Sequence, residues 1–308
     1  MRLERLIQRI SAFIHHHRAF VACEDGGMIT TVTAEKARES STKKTLPTIL
    51  MCRPEFFTVS YRINPWMHPE EPTDTALALT QWRALYDIYQ GLGFTIELID
   101  PIPGLPDMVY AANGGFVLDG IAYGAKFHYP ERQPEGPAYM EWFAAKGFTV
   151  VEPESTNEGE GDFLLVGDVI LAASGFRSDT TSHQEIAKIY GREVVSLQLV
   201  NPSFYHLDTA LAVIDSETIA YLPSAFDEAS LAILQTRYPD AIIATEEDAA
   251  ILGLNSFSDG HNVVIAEKAV SFARDLKVRG YNPIGVDLSE LLLAGGGVKC
   301  CTLELRAS

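Results

Sequence analysis

The sequence is short of positive charge. Lys and Arg number 24 against 41 Asp and Glu in 308 residues, a formal charge of −17. General nucleic-acid binding runs on cations that neutralise phosphates, so it is excluded as a main role, and an anionic membrane surface would repel the chain. Long apolar runs are also lacking: no window approaches the ~18 uninterrupted apolar residues of a membrane-spanning helix. Only four cysteines are present, Cys23, Cys52, Cys300 and Cys301, and none forms a CxxC pair. That excludes a disulfide scaffold and structural-zinc spacing, and it points to a reducing cytoplasm. The glycine run 295–297 lacks the Lys-Ser/Thr of a P-loop, and GxGxxG, GxSxG and HxxxH are missing where they would carry meaning. Neither metal nor organic cofactor is expected.

Apolar residues make up 47% of the chain, enough for a sizeable core. The texture is not uniform. In residues 1–20, Arg2, Arg5, Arg9 and Arg18 interrupt any secretory signal core. Leu3, Leu6, Ile7, Ile10 and Ile14 recur at helical spacing. His15, His16 and His17 are too short a run to bind metal alone, and residues 24–46 are polar and read as a linker. Residues 1–45 are therefore expected to be a loosely ordered N-terminal extension, unless translation starts at Met28. Residues 46–308 are expected to form one domain.

Within that domain four segments share a layout of apolar strand, tight turn, apolar strand: 116–125, 164–173, 211–222 and 257–267. Helical patterns follow at Gly136–Lys146, Ser182–Tyr190, Asp227–Tyr238 and Ala266–Arg279, each succeeded by another apolar strand. A polar mark precedes each hairpin. Asn64, Asn113, Glu160, His206, Asn255 and Cys300 are separated by 49, 47, 46, 49 and 45 residues. Such a period indicates a repeat architecture, here five strand–strand–helix–strand units of α/β class. Closing the units into a ring would gather the polar marks at its centre.

The marks carry chemistry. Three glycines deliver Cys300 to the expected start of a strand, with Lys299 beside it, a setting for a nucleophilic thiolate. Cys301 is expected on the opposite face, in the core. Glu158, Glu160 and Asp162 alternate with glycines, and strand alternation would put all three acids on one face, where they need a cation. His206 and Asp208 are two apart at the head of an apolar run, an acid–base pairing on one strand face. Asp107 and Asn113 flank an aromatic stretch, Arg62 and Asn64 share a face, and Arg177 lies among small polar residues. Carboxylates with one or two arginines define a ligand cationic at one end and anionic at the other. Free arginine or a relative of it fits both.

The strings LPDxVxxxN (105–113), EGEGD (158–162), FYHLD (204–208) and GGGVKC (295–300), in that order, resemble the guanidino-group-modifying enzymes. These include dimethylarginine dimethylaminohydrolase, arginine deiminase, arginine dihydrolase and the amidinotransferases. The resemblance covers about residues 47–306 and implies their five-bladed α/β propeller, the pentein fold. It implies Cys300 as nucleophile on the guanidinium carbon and His206 as proton donor to the leaving amine. It implies Asp208 and Asp107 as guanidinium ligands, and Arg177 as the holder of the substrate α-carboxylate. The family's catalytic acid maps to Glu158 or, in the other register, Glu160; Glu158 is favoured, with Glu160 and Asp162 left to substrate binding. Asn113 replaces an acid found in dimethylargininases and deiminases, and with Asn64 it resembles the arginine dihydrolase branch. The implied activity is cofactor-independent hydrolysis of arginine or N-methylated arginine, giving citrulline or ornithine. An amidinotransferase, or a non-catalytic binding propeller, is the rival. The expected partner is a small guanidino amino acid, with no nucleic acid and no membrane; homo-oligomerisation is left open.

Overall fold

A hairpin closed by two residues needs a backbone that turns with positive φ, and the Asp119-Gly120 pair supplies it at φ of 52° and 76°. In the computed structural model, which describes residues 46–306, this turn joins the first antiparallel pair of a repeated unit. The chain opens with β1 (Thr48–Cys52), α1 (Thr75–Gly91) and β2 (Ile96–Ile99). Unit two comprises β3 (Gly115–Leu118), β4 (Ile121–Gly124), α2 (Glu135–Ala145) and β5 (Thr149–Val151). Unit three comprises β6 (Phe163–Val166), β7 (Val169–Ser174), α3 (Thr180–Tyr190) and β8 (Glu193–Gln198). Unit four comprises β9 (Leu211–Val213), β10 (Ile219–Tyr221), α4 (Glu228–Arg237) and β11 (Ile242–Ile243). Unit five comprises β12 (Phe257–Ser258), β13 (Asn262–Ala266), α5 (Val270–Val278) and β14 (Asn282–Val286), and the chain ends in β15 (Leu303–Arg306).

In units two to five the first strand pairs antiparallel with the second, and the second parallel with the third. Unit one obeys the same rule only because β15 returns to pair antiparallel with β1, Thr48 opposite Leu305. The C-terminal strand thus completes the N-terminal unit. β15 also pairs parallel with β3, so units one and two share one six-stranded sheet while the others are three-stranded.

Apolar side chains from neighbouring units fuse into common cores. Leu50, Leu303, Val117 and Tyr139 join units one and two; Phe116, Tyr123, Phe163 and Ile170 join two and three. Leu171, Leu211, Tyr221 and Val263 join three, four and five, and Phe257 and Val264 meet Ile49, Met51 and Trp82 of unit one. Each adjacency buries area that a single thin unit could not bury alone.

Four local expectations are corrected. The unit-five helix begins at Val270, not Ala266, because Ala266 still pairs with Val286 in the sheet. Cys300 and Cys301 lie in a turn, closed by Cys301 N–H to Gly297 O (3.2 Å) and Thr302 N–H to Lys299 O (2.8 Å), and the strand starts only at Leu303. His206 is extended but Asp208 sits in the one-turn helix Leu207–Ala210, so the two do not share a strand face. Glu160 lies within a 3₁₀ turn, Gly159–Gly161, that sends it away to Lys299 and Arg306, while Glu158 and Asp162 on either side both face His206. Gly159 makes that turn possible: its φ is +55° and a Cβ there would lie 2.5 Å from the Gly115 carbonyl oxygen. The expected extension 1–45, with its helical pattern, His15–His17 and Cys23, lies outside the described residues. Among the described residues no helix is long and apolar enough to cross a membrane.

Candidate active site

The turn that carries Cys300 is positioned by groups from three units. The Cys300 carbonyl accepts from Ala112 N–H at 3.0 Å, and its own N–H donates to Asn255 Oδ1 at 3.0 Å. The buried thiol donates to Asp208 Oδ2 at 3.2 Å, and Asn255 Nδ2 donates to the sulfur at 3.1 Å. The other carboxylate oxygen, Asp208 Oδ1, is buried without a partner among the described residues. Burial and the adjacent Asp208 push the Cys300 thiol well above its ordinary range, and burial holds the Asp208 carboxyl up at about 7.

A second group surrounds His206. Its Nε2 lies 2.8 Å from Glu158 Oε2, and because an ionised carboxylate only accepts, the ring proton belongs on Nε2. Arg177 Nη1 donates to the same Oε2 at 2.8 Å, Nη2 donates to Ile63 O, and the guanidinium lies between the rings of Tyr129 and Tyr205. Burial alone would raise the Glu158 carboxyl, but Arg177 and His206 reverse this and hold it well below the usual range. Asp162 stands behind the imidazole. It accepts from Ser178 Oγ (2.6 Å) and Leu207 N–H (3.2 Å), and burial raises it to about 6. Gly161 keeps the space open, since a Cβ there would sit 2.4 Å from Asn113 Nδ2 and 3.2 Å from the His206 ring.

A third group contains Asp107, raised by burial because Arg132, at 3.9 Å, is too distant to overcome it. Asp107 Oδ1 and the Tyr61 hydroxyl are each buried without a hydrogen-bond partner among the described residues. Arg132 is held by Glu135 through Nε and Nη2, and its Nη1 donates to Asn113 Oδ1 at 2.8 Å. Asn113 Nδ2 in turn donates to the Glu158 carbonyl.

The structure thus brings Cys300, His206, Glu158, Asp208, Asp107, Asn113 and Arg177 into the buried interior, but it uses some of them differently from the sequence reading. Glu160 is turned away from His206 and ion-paired with Lys299 and Arg306, so it is not available to a ligand there. Asp162 supports His206 and Leu207 with both oxygens engaged. Asn64 accepts from Trp66 N–H and donates to Ala294 O, a tether on the glycine run. Arg177 is committed to Glu158, not exposed for a carboxylate. Arg62 is on the surface with Glu70. Arg132 and Asn255 are members the sequence reading gave no role. Arg132 occupies the hairpin-to-helix link of unit two as Arg177 does in unit three, and Asn255 was one of the periodic marks.

Comparison with known proteins adds the following. A family model described as N,N dimethylarginine dimethylhydrolase, eukaryotic, matches residues 60–307. An N(G),N(G)-dimethylarginine dimethylaminohydrolase of Mycobacterium tuberculosis is 52% identical over 256 residues, 83% of this chain and 85% of that protein. The bifunctional arginine dihydrolase/ornithine cyclodeaminase ArgZ of Synechocystis is 36% identical over 264 residues, 83% of this chain but 37% of that protein. Among solved structures, the N-terminal domain of cyanobacterial ArgZ, a cysteine-to-serine mutant bound to substrate, superposes with a TM-score of 0.82 at 35% identity. That match covers 85% of this chain and 98% of the other.

Proposed function

The chain belongs to the dimethylarginine dimethylaminohydrolase family, with its α/β propeller architecture, and from that premise we propose that it hydrolyses the guanidino group of free arginine or N-methylated arginine through a covalent adduct on Cys300. One observation carries the reading. Two fully buried carboxylates, Asp107 and Asp208, each keep one oxygen without a partner, and one of them touches a thiol. A buried carboxylate oxygen without a partner offers a place for an incoming donor or cation. A guanidinium fits, being planar, permanently charged and furnished with five donors.

A cation between these acids favours their ionised forms and also that of Cys300. The Cys300 proton passes to His206, which becomes imidazolium, and the thiolate attacks the guanidinium carbon. As the His206 imidazolium gives the proton that Glu158 does not hold to the departing nitrogen, the C–N bond breaks, an amine or ammonia leaves, and an amidino-thioether remains on Cys300. His206, now able to accept, takes a proton from water as it adds to the same carbon. The C–S bond breaks, the thiol is restored and citrulline is released. Glu158 balances the imidazolium in this sequence, and Arg177 keeps Glu158 ionised. Positioning and proton transfer each supply on the order of several powers of ten in rate. A second cycle on citrulline would give ornithine, carbon dioxide and ammonia.

The ring also closes in this reading as five blades. The shared cores link units one to two, two to three, three through four to five, and five back to one, which supports it. An amidinotransferase would form the same adduct and differ only in passing it to an amine. Incubation with arginine and with asymmetric dimethylarginine separately, followed by product identification, tests the proposal. Ornithine with ammonia marks a dihydrolase, citrulline with ammonia a deiminase, and citrulline with dimethylamine a dimethylargininase. No product from either contradicts hydrolysis.

A further inference from the structure

We propose that Asn255 is a catalytic residue whose side-chain amide both fixes the Cys300 turn and donates a hydrogen bond to the sulfur once its proton has left. The inference rests on the reading of Cys300 as nucleophile and adds a group to it.

The orientation of the amide follows from its neighbours. A backbone N–H can only donate, so the atom facing Cys300 N must be Oδ1. A carbonyl can only accept, so the atom 3.1 Å from Asp208 O must be Nδ2. The two assignments agree and leave one Nδ2 hydrogen for Cys300 Sγ, also at 3.1 Å. Asn255 is fully buried, and Gly297 packs so closely that a Cβ there would lie 3.0 Å from its Oδ1. The amide therefore has one arrangement.

That arrangement matters because the other contact of the sulfur disappears on ionisation. The thiol donates to Asp208 Oδ2 at 3.2 Å, a bond that exists only while the proton is present. When the proton leaves, thiolate and carboxylate repel, and Asp208 turns to the incoming cation. A donor that stays in place then keeps the sulfur aimed, and hydrogen bonds to a charged acceptor are stronger than those to a neutral one. Gly297 N–H also favours the thiolate. The remaining groups facing the sulfur give it no cation. They are Asp208, Cys301, Tyr110 and Tyr205, while the Lys299 ammonium is turned to Glu160. Asn255 is thus the only side-chain donor to Cys300 Sγ among the described residues.

The test reads the thiol directly. Iodoacetamide alkylation of Cys300 is followed by peptide mass spectrometry as a function of pH in the full-length protein and in Asn255→Asp and Asn255→Ala. Asn255→Asp keeps the acceptor for Cys300 N–H and replaces the donor by a carboxylate. The alkylation midpoint should move up by more than about one pH unit, and kcat should fall about 10- to 100-fold with KM within about threefold. A merely structural role would lower the melting temperature and leave the midpoint unchanged. In the unaltered protein, the Asn255 side-chain amide signals in ¹⁵N NMR should titrate with the alkylation midpoint, which keeps the proposal testable if both variants misfold. Unshifted midpoints in folded variants, or amide signals indifferent to that titration, overturn it. If the protein turns over neither arginine nor dimethylarginine, the functional reading fails, while alkylation and NMR still decide the role of Asn255.

Discussion

Glu158 and Glu160 are two residues apart, both fully buried, and they belong to clusters built on opposite logics. Glu160 is saturated. Lys299, Arg306 and the Glu304 N–H all donate to it, and Lys299 spends a further hydrogen on Thr302 O. On the other side of the same turn, Glu158 is itself held by Arg177, His206 and the His128 N–H, but it lies near Asp107, which like Asp208 keeps a carboxylate oxygen without a partner among the described residues. Burial and charge are common to both clusters, so neither property marks a functional site. The difference is that hydrogen-bonding capacity is left unmet at Asp107 and Asp208. The saturated cluster pins the Cys300 turn to unit three, and the unsaturated one is left for a ligand.

This contrast can be broken from either side. The largest effect is expected from Cys300→Ser, which should cut turnover more than about 10⁴-fold while urea unfolding stays close to wild type. Glu160→Ala should do the reverse. It takes away the carboxylate shared by Lys299 and Arg306, leaving them Glu304 alone as ion-pair partner, and is expected to cost about 3 kcal/mol in urea unfolding.

Asp208→Asn sharpens the comparison through pH. A carboxyl raised from 3.8 to about 7 on folding binds protons more tightly in the native state, so its contribution is favourable near pH 4 and lost as pH rises through about 7. Removing it should therefore leave stability unchanged near pH 4 and raise it by about 4 kcal/mol at pH 8, with turnover lost. Equal shifts at both pH values would show that Asp208 is not strained. Smaller still, Cys301→Ser, one residue from the nucleophile but without the Asp208 bond, should keep turnover within about threefold. Removing residues 1–45 should change kcat less than about twofold.

The repeat was legible because each unit writes its own signals locally: an apolar run, a turn such as Asp119-Gly120, a second run, a helix. Closure of unit one by β15 was not, because Leu305 opposite Thr48 is a pairing across almost the whole domain that no local signal announces. Cys300, His206, Asp208 and Asp107 were legible by residue type at recurring positions. Their neighbours were harder to read. Alternation placed Glu160 beside Glu158, and only the positive φ of Gly159 separates them. Nothing in the spacing tells that Arg177 meets Glu158, or that Asn255 meets the sulfur. Those partnerships join segments 19 and 45 residues apart through packing between units.

The central claim is that the unsaturated cluster receives a guanidinium and transfers its carbon to Cys300. Rapid acid quench of the full-length enzyme with arginine or asymmetric dimethylarginine, followed by peptide mass spectrometry, addresses it directly. An amidino adduct confined to the Cys300 peptide, formed and lost at rates compatible with turnover and missing in Cys300→Ser, is the predicted result. Turnover without any adduct, or an adduct on another residue, would contradict the account.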